Sequence, residues 1–444
     1  MSFVSLSHTP ATLSLGLLLT LAACQQNSSL EKKAAASAGA GSASPLTVGT
    51  WRGVLSAQDQ EIPFLFEVDE AGGEPVVTLR NGEERLLLDE IKTAGDSTTI
   101  RLGVFDAALV VRPAGEGKLK GAWVKYDGKE PYRVPFAATK GEQPLFTDED
   151  GDGRKFIPQV TGLQKGSTYK VTFTDGEGKS YPAVGVFEYA NNQVKGTFLT
   201  TTGDYRYLAG NLVERKDGPH LLLSTFDGSH AFLFDATDRK NGFTEMKGHF
   251  YSGKSGHETW TATLDPNAKL PDANALTGMK PGQKKLDFRF PNVYEGGSIS
   301  PSDPKYRGKV VVVQILGSWC PNCMDETNFL APWYDKNKGR GVEIIGLGFE
   351  RTSDQKAAAQ KLLKMKDRLN VGYDLAVAGE ASKDAASAAL PQIQKVLAFP
   401  TTIFLDKKGE VRKIHTGFSG PGTGQYYEQE VAEFNRTIDQ LLAE

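Results

Sequence analysis

The chain has 444 residues, a formal net charge of −3 and three cysteines. That length exceeds one ordinary core and predicts two to four domains. Mixed charge without a basic excess argues against a nucleic-acid partner, and so few cysteines exclude a structural disulfide framework.

The first element is a short apolar stretch over residues 11–23, too short to span a bilayer and of signal-peptide size. It ends in Leu21-Ala22-Ala23-Cys24, which resembles the lipobox of bacterial lipoproteins, although the segment before it carries His8 and no Lys or Arg. The resemblance implies that residues 1–23 are a signal peptide cut before Cys24 and that the Cys24 thiol carries a diacylglycerol. The protein is then expected in the cell envelope, lipid-anchored to a membrane with periplasmic domains. A cleaved secretory signal beside a free Cys24 is the plainer alternative. Either route leads to a compartment where disulfides persist. Residues 24–45, rich in Ala, Gly and Ser, read as a flexible tether.

From about residue 46 to 266 the chain shows short alternating strands, Gly and Asp turns and no helical pattern. It also repeats itself. Phe64-Leu65-Phe66-Glu67 matches Gly185-Val186-Phe187-Glu188, Asn81-Gly82-Glu83-Glu84-Arg85 matches Thr202-Gly203-Asp204-Tyr205-Arg206, and Leu102-Gly103-Val104-Phe105-Asp106 matches Leu223-Ser224-Thr225-Phe226-Asp227. These three pairs share one offset. A fourth, Lys120-Gly121-Ala122-Trp123 against Lys247-Gly248-His249-Phe250, lies at a slightly longer one. The pattern predicts two similar antiparallel all-β domains, sandwiches or small barrels, over 46–142 and 161–266. An acidic linker over 143–160 joins them. Its Thr147–Gly153 segment is oxygen-rich but lacks the terminal Glu of an EF-hand loop, so a solvated linker is preferred to a calcium site. His220, His230, His249 and His257 have spacings that match no metal motif. A ligand-binding face on the β domains is an alternative that the sequence does not place.

After a Pro- and Gly-containing linker over 267–284, residues 285–444 carry a compact α/β pattern. Lys309 to Leu316 is a nearly continuous β-branched run, the mark of a strand buried on both faces. Trp319-Cys320-Pro321-Asn322-Cys323 follows a breaker, and Met324 to Lys336 reads as a helix with Phe329, Leu330 and Trp333 on one face. Cys320 would sit near the helix N-cap, with Pro321 in the first turn. Backbone N–H groups there favour negative charge on its sulfur. Cys323, one turn in, would be shielded yet close enough to attack a mixed disulfide at a solvent-reachable Cys320. That is a dithiol–disulfide exchange site. Further along come a strand at Val342–Phe349, an amphipathic helix over 354–369 and a helix pair over 381–396 interrupted by Pro391. A strand at Thr401–Leu405, a turn at Asp406–Gly409, a strand at Glu410–His415 and a closing helix through Tyr427, Val431, Phe434, Ile438 and Leu441 complete the pattern.

This order, with Trp319-Cys320-Pro321-Asn322-Cys323, Phe399-Pro400-Thr401-Thr402 before a strand and Glu326 three residues after the second cysteine, resembles the TlpA/ResA branch of membrane-attached thioredoxin-like disulfide reductases. The resemblance implies a thioredoxin-like domain with an insertion ahead of its third core strand. It makes Cys320 the attacking thiol, Cys323 the resolving one, and the two together the redox disulfide. Pro400 becomes a cis proline facing that pair, leaving the Phe399 backbone to bind an extended substrate segment. Glu326 becomes an active-site carboxylate that relays a proton or tunes thiol acidity; an ordinary surface residue of the first helix is the plainer reading of Glu326, and Trp319, a substrate-side candidate, is either a lid over the disulfide or simple packing. No metal or organic cofactor is implied. The implied partners are disulfide-containing envelope proteins as substrates and a membrane thiol carrier as electron donor. Two departures stand out: Gln314 replaces the buried Asp of cytoplasmic thioredoxins, and Asn328 replaces a helix proline, which predicts a straighter helix.

Competing readings exist. A zinc site would need a second cysteine pair. A copper-handling relative would use a wider cysteine spacing, although His415 is suggestively placed. A peroxiredoxin-like antioxidant enzyme would need a Thr-x-x-Cys motif that Ser318-Trp319-Cys320 does not supply. An envelope binding lipoprotein, with the thioredoxin-like domain as accessory, is the rival from another class.

Overall fold

The computed structural model describes residues 45–126, 128, 130–148, 160–240 and 242–444. The signal segment 1–23, Cys24, the tether up to residue 44 and the acidic residues 149–153 lie outside the described residues.

Alternating apolar and polar residues build a first antiparallel sheet. Its strands are β1 (Gly49–Ala57), β2 (Gln60–Ala71), β3 (Glu74–Asn81), β4 (Glu84–Leu88), β5 (Ile91–Ala94), β6 (Ser97–Arg101), β7 (Ala107–Pro113), β8 (Lys118–Lys125) and β9 (Tyr132–Lys140). Along β9, Val134, Phe136 and Ala138 are buried while Arg133, Pro135 and Ala137 face out, the period of a strand with one wet face. The sheet runs β4-β3-β2-β1-β9-β8-β7-β6-β5 and curls into a barrel-like form that stays open between β4 and β5.

The second sheet repeats the plan with β10 (Ser167–Thr174), β11 (Ser180–Ala190), β12 (Gln193–Thr200), β13 (Gly203–Asp204), β14 (Leu208–Arg215), β15 (Gly218–Phe226), β16 (Ala231–Lys240), β17 (Glu245–Ser252) and β18 (Gly256–Leu264). Here β11 pairs with both β10 and β12, and β12 also pairs with β14, so eight strands close a barrel. Its interior is filled by aromatic rings. Phe198 lies 4.7 Å from Phe234, 5.1 Å from Trp260 and 5.2 Å from Phe173, centroid to centroid.

The repeated segments occupy equivalent places. Phe64–Glu67 and Gly185–Glu188 lie in the second strand of each sheet, and Asn81–Arg85 and Thr202–Arg206 lead out of the third. The two copies differ in one hairpin. Strand β4 pairs with β3 from Val77↔Leu88 to Asn81↔Glu84 and blocks that edge. Strand β13 pairs with β12 only at Leu199↔Asp204 and Thr200↔Gly203, which leaves Val194–Gly196 free to take β14. The open first barrel is plugged by its neighbour instead. Leu222, Phe226 and Leu233 of the second sheet belong to the first sheet's core, where Phe226 lies tilted 4.6 Å from Phe64 and edge-on 5.3 Å from Trp123.

The C-terminal region begins with a short pairing of β19 (Phe290–Pro291) and β20 (Ser298–Ile299). It continues β21 (Val310–Leu316), α1 (Pro321–Asn337), β22 (Val342–Glu350), α2 (Gln355–Arg368), β23 (Asp374–Glu380), α3 (Lys383–Ala389), β24 (Thr401–Leu405), β25 (Val411–Thr416), α4 (Gln425–Ala443). The sheet order is β23-β22-β21-β24-β25, with β21 parallel to β22 and antiparallel to β24. Every residue of β21 and β22 is buried, as a central parallel pair requires.

Three details differ from the sequence reading. The insertion holds a strand, β23, whose apolar centre Leu375-Ala376-Val377 is too short to stand out by itself. Residues 381–396 carry one helix rather than two, because α3 ends before Pro391, and the segment after it is drawn into bridges such as Met279↔Ile393. Helix α1 has a proline after all, Pro332, whose ring removes the bond to the Asn328 carbonyl.

Candidate active site

The buried strand β21 delivers Gly317-Ser318-Trp319 to the start of α1. Gly317 is required there, since a Cβ would collide with the Trp319 indole and the Phe349 carbonyl. Cys320 is the N-cap of α1 with extended backbone, and Pro321 fills the first position, where its missing N–H leaves no bond unmade. The Cys323 amide donates to the Cys320 sulfur at 3.3 Å, an orphan donor of the helix start aimed at the site of negative charge.

Cys320 and Cys323 are both free thiols. The Cys320 thiol donates to the Phe399 carbonyl at 3.5 Å, and the Phe399–Pro400 peptide is cis. The pair, Phe399 and Pro400 therefore meet in one place. Trp319 stands beside them, its ring 5.5 Å from Phe399 and edge-on, its indole N–H donating to the Phe349 carbonyl at 2.9 Å. The Arg351 guanidinium lies over that ring at 4.6 Å. Where the sequence leads one to expect a solvent-reachable thiol, Cys320 is only 6% exposed, and Cys323 is fully buried. Burial pushes the Cys323 thiol well above its ordinary value, reinforced by Cys320 and by Glu326.

Glu326 is buried one turn beyond Cys323. Its carboxylate accepts from Gln314 Nε2 at 2.8 Å and from the Thr402 hydroxyl. Gln314 is oriented in turn by the Tyr373 hydroxyl, which donates to its carbonyl at 3.0 Å. Burial pushes the Glu326 carboxyl up to about 7, against the hydrogen bonds from Thr402 and Gln314. Gln314 thus serves as an uncharged donor beneath the carboxylate.

Two further carboxylates escaped the sequence reading. Glu350 ends strand β22 and accepts both the Ser318 amide at 2.8 Å and the Ser318 hydroxyl at 2.7 Å; burial lifts it to about 7 despite those bonds. An acidic residue closing the apolar run Val342–Phe349 was the available signal. Asp325 points away from Glu326 and meets Arg206 of the second β sheet at 3.0 Å, while Arg206 also pairs with Glu84 of the first. All three are buried. Burial pushes the Asp325 carboxyl up, Arg206 beside it pulls it back down, and Asp204 and Glu84 add to the rise. Burial would lower Arg206, but Asp325 and Glu84 hold it above its ordinary value.

His415 pairs across the sheet with Thr402 and is engaged by Glu430 at 2.8 Å and Asn274 at 2.8 Å. Of the other histidines, His220 pairs with Asp235 and Asp217, and His230 with Asp227. Among the described residues no three His, Cys, Asp or Glu side chains converge as a metal-ligand set, and no helix is long and apolar enough to cross a membrane.

Residues 280–431 match the family model described as Redoxin. The chain is 30% identical over 112 residues to the thiol-disulfide oxidoreductase ResA of Geobacillus kaustophilus, a match that covers 25% of this chain and 57% of that protein. It is 23% identical over 168 residues to the thiol:disulfide interchange protein DsbE of Escherichia coli K12, covering 38% of this chain and 80% of that one. The chain thus spans little more than half the length of the ResA relative. A crystal structure of a secreted thiol-disulfide isomerase from Corynebacterium glutamicum covers 40% of this chain and 97% of its own, at 17% identity and a TM-score of 0.28.

Proposed function

From a C-terminal region that is a TlpA/ResA-like thioredoxin-fold domain, we propose that this protein is a cell-envelope thiol–disulfide oxidoreductase that reduces protein disulfides through Cys320 and Cys323. One observation carries the reading. The Cys320 sulfur sits at a helix N-cap against the Phe399 carbonyl of a cis Phe399–Pro400 bond, with a buried Cys323 one turn behind it.

In the reductive direction the Cys320 thiolate attacks one sulfur of a substrate disulfide. That S–S bond breaks, and the departing substrate sulfur takes a proton. Cys323 then loses its proton and attacks the Cys320 sulfur, closing the Cys320–Cys323 disulfide and releasing the second substrate thiol. Two electrons and two protons pass to the substrate. Burial that holds Cys323 protonated keeps it from acting before the mixed disulfide forms. Glu326, at about 7, can hold the proton that Cys323 gives up. Phe399 and Trp319 flank the approach, and Phe399–Pro400 offers backbone to an extended segment. A membrane thiol carrier returns the dithiol, and lipid on Cys24 keeps the protein at the membrane.

The rival reading, a lipoprotein whose β domains capture a ligand, meets a packing objection. Among the described residues, the interior of the closed barrel is packed with its own rings, Phe234 and Phe250 stacked at 4.4 Å among them, unlike the open interior of ligand-carrying barrels.

The test uses the full chain and a small aromatic disulfide with a dithiol reductant. Turnover should need both thiols, so Cys320→Ser and Cys323→Ser should each reduce it to background. Undiminished turnover in either variant contradicts the mechanism.

A further inference from the structure

The β pair does not stand apart from the thiol site; its repeat loops form the site's rim. On one side the Ser229 hydroxyl, in the loop after β15, donates to the Trp319 carbonyl at 3.2 Å. On another the Asn322 amide, between the two cysteines, donates to the Asp204 carbonyl at 3.1 Å. Gly203 is pressed so close to Asn322 that a Cβ there would overlap the amide. On the third side lies Gly417, whose N–H donates to the Pro400 carbonyl at 3.0 Å. A Cβ on Gly417 would stand 3.1 Å from the Gly203 nitrogen. The Asp204 carboxylate accepts from the Gly420 amide at 2.7 Å. An extended substrate lying along Phe399–Pro400 would need the space that Thr202–Asp204 holds.

What fastens this rim is polar. Arg206 lies buried between Glu84 and Asp325. Away from the cysteines, Lys361 of α2 meets Asp106 at 2.7 Å, and Arg368 meets Glu90 at 2.9 Å and also Asp89. Among the described residues, only Val104 and Phe105 of the first β unit join this apolar cluster of the thioredoxin-like region, and at its partly buried edge. Buried ion pairs return much of their attraction as desolvation cost, so they set register more than they add affinity. An interface of this composition, between elements that each own a hydrophobic core, is the kind that opens.

Resting on the thiol-exchange reading above, we propose that the β pair is an autoinhibitory cover: the loop Thr202–Arg206 occupies the docking groove beside Cys320, and it must withdraw before a macromolecular disulfide reaches the sulfur. A small reagent needs less room at the Cys320 sulfur than a protein chain does, so the cover hinders it less.

The experiment compares the full chain with Arg206→Gln and with Arg368→Ala, the latter outside the cleft beside Trp319 and only loosening the cover. Each is assayed for reduction of insulin and of a small aromatic disulfide, and for labelling by a maleimide carrying a polyethylene glycol chain. In both variants, insulin reduction and polymer-maleimide labelling should rise about tenfold, with the small disulfide changed less than about twofold. Insulin reduced by the unaltered chain as fast as by the variants overturns the cover. An unaltered chain that fails even on the small disulfide overturns the thiol-exchange reading, and the cover falls with it.

Discussion

Arg85 and Arg206 occupy the same place in the two β repeats, yet they live in different worlds. Arg85 is exposed and donates to the Gly82 and Glu84 carbonyls of its own hairpin. Arg206 is buried across three structural units, against Glu84 of the first sheet and Asp325 of α1. The third repeated segment has diverged in the same way. Phe105 leans on the thioredoxin-like region, whereas its counterpart Phe226 plugs the open first barrel. A duplicated motif thus supplied two similar loops, and the neighbours each one met decided its role. A guanidinium in water is worth little; the same group among buried carboxylates cannot be removed without leaving charge unpaired.

The largest effect expected from breaking this contrast is Arg206→Ala, which should cost about 3–5 kcal/mol because it strands Glu84 and Asp325, read as a drop in the denaturant midpoint. Next comes the carboxylate on the other side of α1. Glu326 lies at about 7 in the folded chain against 4.5 ordinarily. Below about pH 4.5 it is neutral in both states and costs nothing. Between 4.5 and 7 the unfolded chain ionises while the folded one keeps its proton, so stability falls, and above 7 the loss is complete. The loss is about 3 kcal/mol. Glu326→Gln should therefore unfold with a shallower pH dependence through that window, measured as the difference between the two proteins at each pH. An equal slope in both would remove the buried carboxyl from the account. The smallest effect belongs to Arg85→Ala, which should stay within about 0.5 kcal/mol of the parent; a cost rivalling that of Arg206→Ala would erase the contrast.

Local signals made much of this legible beforehand. The β-branched run before Cys320, the proline after it and the apolar face of the following helix are short-range patterns, and they become β21 and α1. The repeat was readable because its matches keep one spacing. What could not be read depends on partners far apart in the chain. Closure of one barrel and not the other turns on whether Val194–Gly196 pairs with β14 or is blocked as β3 is by β4. The charge at Asp325 is met by Arg206, and nothing near Asp325 in the sequence announces it. Glu326 stands out by its distance from the cysteines, whereas Glu350 is marked only as the acidic end of an apolar strand.

The most direct measurement is mass spectrometry of the full-length Cys323→Ala and Cys320→Ala variants after incubation with a small symmetrical disulfide. The Cys323→Ala protein should carry one mixed disulfide on Cys320, and the Cys320→Ala protein almost none. Adducts confined to Cys323 in the Cys320→Ala protein, with Cys320 left unmodified in the other, would contradict the assignment of the attacking sulfur.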